Sequence, residues 1–162
     1  MVAPWVIVAI GTGILSLALR WTHRSIVILW FLMLPGIIAH EAMHWIVALL
    51  TWGFPGAITV IPKKLGRGRW RLGAVPIHNP QWYNAGLIGM APFLLLPIAG
   101  LLVTHLAPSH PFADWPQSLL LCYICAVLVG SGFPSGPDYR LAMISWLPVL
   151  GLMAAVAAWA FS

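Results

Sequence analysis

Five long apolar runs, at roughly residues 3–19, 26–52, 84–106, 117–133 and 139–161, leave this chain few ways to fold. Each approaches the roughly 20 residues that a helix needs to cross a bilayer. In hydrocarbon every main-chain N–H and C=O must be paired within the protein, which restricts spanning segments to helices and closed barrels. The runs lack the alternation of a barrel strand, so they read as helices. Only 7% of residues are charged, against about 25% in a soluble domain. The expected fold is an all-α polytopic membrane protein with about five transmembrane helices. The first run is short, so four spans plus an interfacial helix fit as well.

Tryptophans 21, 52, 82 and 115 stand near the proposed span ends, where indole rings favour the headgroup layer. The first twenty residues carry no basic residue before their apolar core and no small-residue cleavage pattern, so they read as a retained span. No internal repeat is present, and residues 1–162 read as a single domain. "CYIC" (Cys122, Cys125) lies inside an apolar run without a second pair, which suits packing residues better than a zinc ribbon or redox pair.

The net charge of +5 would suggest nucleic acid in a soluble chain. Here the basic residues flank apolar runs, so the expected partner is the lipid bilayer, with no nucleic acid. Counting them orients the chain. Lys63, Lys64, Arg67, Arg69, Arg71 and Arg140 fall on one side and Arg20 and Arg24 on the other. The positive-inside rule then puts residues 53–84 in the cytoplasm of a multi-pass cell-membrane protein. Within that interval "AITVIP" and "WRLGAVPI" are β-prone and "KKLGRGR" supplies a turn, which predicts a β-hairpin.

One turn of the second run breaks its apolar character. "HEAMH", residues 40–44, matches H-E-x-x-H. Positions i and i+4 share a helix face, so His40 and His44 can ligate one Zn²⁺. Glu41, the only glutamate of the chain, stands where a carboxylate can take the proton of a metal-activated water. Ionisable groups buried in a membrane are costly unless paired, hydrated or metal-bound.

A catalytic zinc usually has three protein ligands. The remaining donors are Asp114, Asp138 and the histidines at 23, 78, 105 and 110. Asp138 lies in "GSGFPSGPDYR", whose glycines and prolines break a helix and suit a backbone that unwinds to present a ligand. An aspartate before "YRLAMISW" also fits the N-cap of the fifth span, and Asp114 in "FADWPQ" has the same cap logic. His40 lies about 21 Å along the second span, a depth compatible with Asp138 at the end of the fourth. His78, Asn79 and Asn84 in "PIHNPQWYN" are candidates for oxyanion or substrate contacts. His23, His105 and His110 read as loop residues.

With "HEAMH" inside a span, a hairpin after it, "NAGLIGMAPFLLLP" opening the next span and "FPSGPD" ending a later one, the chain resembles the site-two protease family of intramembrane zinc metalloproteases. The resemblance covers roughly residues 26 to 140. It implies that His40 and His44 are zinc ligands, Asp138 the third ligand and Glu41 the catalytic base, and that the substrate is a transmembrane protein or peptide. Ser131 and Tyr139 stand where family members often carry an asparagine and a glycine, so no transition-state stabiliser is assigned. A helical peptide bond is shielded, and a hairpin edge can hold an unwound substrate by strand addition. The competing class is a metal-binding membrane scaffold or transporter, which would favour more polar residues along the spans. A gluzincin needs a second glutamate, and the chain has none.

Overall fold

The computed structural model describes residues 3–21, 26–66 and 69–160. The readings of His23, Arg24 and Arg67 lie outside them. All five apolar runs are helical. Helix α1 spans Pro4–Trp21, α2 Ile26–Leu50, α3 Ala85–Met90, α4 Leu95–Leu106, α5 Trp115–Ser131 and α6 Gly136–Ala160. Among the described residues two segments are long and apolar enough to cross a membrane, Val27–Leu50 and Ala85–Leu106. Helix α5 and the first part of α6 make a third if the pair, bent by 54°, is one span.

Helix α2 shows why the chain needs an apolar surround. Apart from the turn that carries His40, Glu41 and His44 it is hydrophobic all round, and Ile28, Phe31, Ile46 and Leu49 all face outward. Such a helix is stable only inside a large core or in lipid. The third run is interrupted by a 3-10 turn at Ala91–Leu94, with Pro92 near its start. Proline offers no N–H and is tolerated where a helix begins, so the turn divides α3 from α4 without ending the segment. Apolar residues of α1, α4 and α5 form one core cluster around Val8, Ala99 and Cys125. Both cysteines are free, and Cys125 is fully buried there, a packing role.

Two boundaries differ from expectation. The sixth helix starts at Gly136 rather than at residue 139, so Asp138 sits within its first turn instead of capping it from outside. Ser135 is the flanking residue, its C=O accepting from Tyr139 N–H at 3.1 Å. Gly-Pro can enter the first turn because the proline's missing N–H is unneeded there. The hairpin exists, but its ladder is displaced. Strands β1 (Lys63–Gly66) and β2 (Arg69–Arg71) are antiparallel; β1 and Arg69 occupy the segment expected to turn, while Trp70 and Arg71 belong to the expected second strand. Thr59 of "AITVIP" and Ala74 of "WRLGAVPI" form one isolated bridge, and Pro55, ahead of the first segment, forms the other with Ile77. Prolines 55, 62 and 76 remove ladder donors there, which keeps the pairing intermittent.

Candidate metal centre

His40 and His44 lie one turn apart on α2, their ring centroids separated by 4.8 Å. Each is held through Nδ1 by a main-chain carbonyl, His40 by Ser131 and His44 by Ile88, both at 2.7 Å. A carbonyl only accepts, so Nδ1 carries the proton in each ring and Nε2 presents a lone pair. The two Nε2 atoms face each other at 3.2 Å. Asp138 completes the triangle, Oδ2 lying 3.3 Å from His40 Nε2 and Oδ1 3.2 Å from His44 Nε2.

Lone pairs thus converge from three side chains, an arrangement that requires positive charge between them. Four ligands placed tetrahedrally at 2.0–2.1 Å from a zinc ion are about 3.3 Å apart, close to the separations found. His40, His44 and Asp138 are therefore a candidate metal-binding group. The carbonyl braces on Nδ1 are the outer contacts that typically orient metal-ligating imidazoles.

Asp138 has its own support. Its Oδ2 accepts from Ser135 N–H at 2.5 Å, and the N-terminus of a helix favours a negative charge. One residue therefore meets both sequence readings, satisfying a helix-start donor while it faces the imidazoles. Asp114 does neither. It precedes α5, its side chain makes no cap hydrogen bond, and it is not part of the cluster.

Close backbone approach sets these positions. A Cβ on Gly36 would collide with Ser131 Oγ and come within 2.5 Å of Val127 C=O. This contact presses α2 against the end of α5, the end that supplies the carbonyl for His40. A Cβ on Gly89 would collide with Asp138 C=O and stand 2.9 Å from Ala142 N. Helix α3 can therefore approach the first turn of α6 as closely as small residues allow in membrane bundles. Gly36→Val should separate α2 from α5, since overpacking costs about 1–3 kcal/mol. The expected result is weaker Zn²⁺ binding in titration. Unchanged affinity would mean that the Gly36 contact does not hold the His40 brace.

Glu41 is buried and lines the same cavity, of about 910 Å³, as the three ligand candidates. The returning arm of the hairpin covers it. A Cβ on Gly73 would come within 2.6 Å of Glu41 Oε1, so a larger residue would have to push the carboxylate aside for the strand to rest there. Thr59 and Ala74 exchange both main-chain bonds, at 2.9 and 2.8 Å. By strand alternation Gly73 and Val75 direct their N–H and C=O groups to the opposite edge. Among the described residues those groups have no main-chain partner. Arg71 and Arg140 also line the cavity.

His78, Asn79 and Asn84 do not line it. His78 Nδ1 donates to Phe54 C=O at 2.8 Å and Asn79 Nδ2 to Trp52 C=O at 3.0 Å. Asn84 is fully buried, donating to the carbonyls of Thr51 and Asn79 and accepting from Gln81 N–H at 2.7 Å. Together they brace the turn after α2, where Trp52 and Phe54 adopt positive φ. Their polarity serves main-chain groups of a tight connection. Asn84→Ala should cost about 2–3 kcal/mol, because three partly buried hydrogen bonds, from Gln81 N–H and to the carbonyls of Thr51 and Asn79, are lost together. A fall in the thermal unfolding midpoint in detergent checks this, and an unchanged midpoint would count against the brace.

Sequence reasoning missed the carbonyls of Ile88 and Ser131, which no side-chain pattern marks, and the role of Gly36, Gly73 and Gly89. "AGLIGM" carried a weak hint, since small residues four apart often mark a helix contact.

No protein-family model, curated protein or solved structure matches this chain. The site must be read from its own geometry.

Proposed function

We propose that the chain is an intramembrane zinc metalloprotease that hydrolyses peptide bonds of membrane-spanning or membrane-adjacent proteins. The observation that carries this reading is the convergence of His40, His44 and Asp138 in one cavity with Glu41. It accords with the resemblance of "HEAMH" and "FPSGPD" to the site-two protease family.

In this reading His40 Nε2, His44 Nε2 and one oxygen of Asp138 hold Zn²⁺, and the carbonyls of Ser131 and Ile88 keep both imidazoles in the ligating tautomer. When bound, zinc supplies Lewis acidity, polarising a carbonyl and lowering the pKa of water to about 7. Glu41 accepts the proton of the attacking water and returns it to the departing amine, so the peptide C–N bond breaks with the proton balance closed. The free edge at Gly73 and Val75 pairs with a substrate segment that has left its helix, which presents an extended carbonyl beside Glu41. The apolar lining formed by Met33, Ile37, Phe133 and Leu141 limits water around the reacting bond.

The test uses the purified full chain in detergent with a panel of single-span membrane proteins. Cleavage should stop on chelation and return when Zn²⁺ is restored. Cleavage that continues unchanged in a chelator, with the metal shown to be gone, would sink the zinc mechanism.

A further inference from the structure

The hairpin arm folds back along α2 rather than standing off its end. At its base Gly53 N–H donates to Ala48 C=O at 2.7 Å, midway Gly73 rests on Glu41, and farther out Trp30 Nε1 donates to Val60 C=O at 2.8 Å. Trp30 is four residues into α2, about 6 Å from its start. Lys63 is three residues beyond Val60, about 10 Å at strand rise. The β1–β2 tip therefore reaches the N-terminal end of α2, the end near which α1 finishes. It is carried away from the base of its own loop.

That tip is cationic. Lys63 and Lys64 are exposed, as is Arg71, and Lys63 pairs directly with Arg71 across the ladder. Like charges opposite one another destabilise a ribbon, and a lone two-stranded ribbon is marginal to begin with. Arg71 lies within the electrostatic reach of Glu41, whereas Lys63 and Lys64 form no ion pair among the described residues. The chain's three carboxylates are Glu41 and Asp138 in the candidate site and Asp114 before α5. Among the described residues the only ion-pair contacts are those of the two histidines with Asp138. The same arm exposes Ile58, Trp70 and Ile61, the last to 78%. Cations, a tryptophan and bare aliphatic side chains on one short ribbon suit the headgroup layer, where lysine and arginine stems lie in apolar surroundings and their charges reach the surface.

We propose that the β1–β2 tip binds anionic phospholipid headgroups in the leaflet at the N-terminal end of α2, a phosphate lying between Lys63 and Arg71 with Lys64 beside it. Trp70 and Arg71 also line the candidate site's cavity, so the bound headgroup holds the arm across Glu41. The tip and the base of the 53–84 loop then belong to opposite membrane faces, unlike the single cytoplasmic placement expected from charge counting. The proposal rests on the membrane reading of the chain and not on proteolysis.

The test is amide hydrogen exchange on the full chain in nanodiscs, either of phosphatidylcholine alone or of an equal mixture with phosphatidylglycerol. The amides of Thr59, Lys64, Trp70 and Ala74 should exchange more slowly in the anionic discs. That protection should fall roughly fivefold for each of Lys63→Gln and Lys64→Gln, survive Lys63→Arg and weaken at high salt. Inorganic phosphate added to neutral discs should not reproduce it. Equal exchange of the wild-type arm in both lipids would overturn the proposal, whatever the variants do. Full protection by inorganic phosphate in neutral discs would overturn the assignment to a lipid. No readout depends on substrate cleavage, so failure here and failure of the protease reading are separate results.

Discussion

Glu41→Gln is expected to slow proteolysis by at least about a hundredfold, the low end for loss of a positioned general base, while Zn²⁺ still binds at near-normal stoichiometry. Glutamine keeps the size of glutamate and much of its hydrogen bonding. It therefore leaves the contact with Gly73 and the positions of His40 and His44 largely intact. What it lacks is a basic oxygen for the proton of the attacking water. The measurement pairs cleavage of a transmembrane substrate with metal analysis of the same preparation. A transporter or scaffold would keep its function in Glu41→Gln and fail only when ligands are removed. If Glu41→Gln cleaves as fast as wild type, the hydrolytic mechanism is wrong.

His44→Ala and Asp138→Ala are each expected to lose Zn²⁺ affinity by more than about a hundredfold, beyond the 10–100-fold that removal of an outer-shell partner costs. The two variants should then differ in stability. His44→Ala leaves Ile88 C=O without its donor at 2.7 Å. Asp138→Ala leaves Ser135 N–H unpaired at the start of α6 and should destabilise that turn by about 1 kcal/mol in addition. Titration with Zn²⁺, with unfolding followed in the same samples, separates the ligand role from the cap role. If Asp138→Ala bound Zn²⁺ as wild type does while unfolding more easily, Asp138 would be a helix-start residue only, and the third ligand would have to be sought elsewhere.

The helical segments were legible because long apolar runs leave the main chain few other ways to pair. A run near 20 residues long with at most one charged residue finds its main-chain partners most readily within itself, and all five runs form helices. The juxtaposition of His40 and His44 was equally legible, since i and i+4 geometry is local to α2. Asp138 was partly legible. Glycines and prolines in "GSGFPSGPD" marked the break, but the same letters allowed a cap outside the helix or a ligand within its first turn. The hairpin was visible in outline and displaced in detail, because local β-propensity reports side chains whereas proline positions decide which ladder bonds can form.

What the sequence alone determined is the set of apolar helical segments and the pairing of His40 with His44 on one helical turn. These depend on interactions within a few residues of one another. Tertiary structure decided the rest. The meeting of Asp138 with the histidines depends on how closely α2 can approach α5 and α3 can approach α6. Those distances are set where Gly36 and Gly89 let backbones touch. The tautomers of His40 and His44 depend on carbonyls 91 and 44 residues away in the chain. His78, Asn79 and Asn84 carry polarity that looked chemical and turned out to satisfy main-chain groups of a tight turn. A side chain's chemistry is written in its own letter. Which atoms stand opposite it is a property of packing, and packing is decided by the whole chain at once.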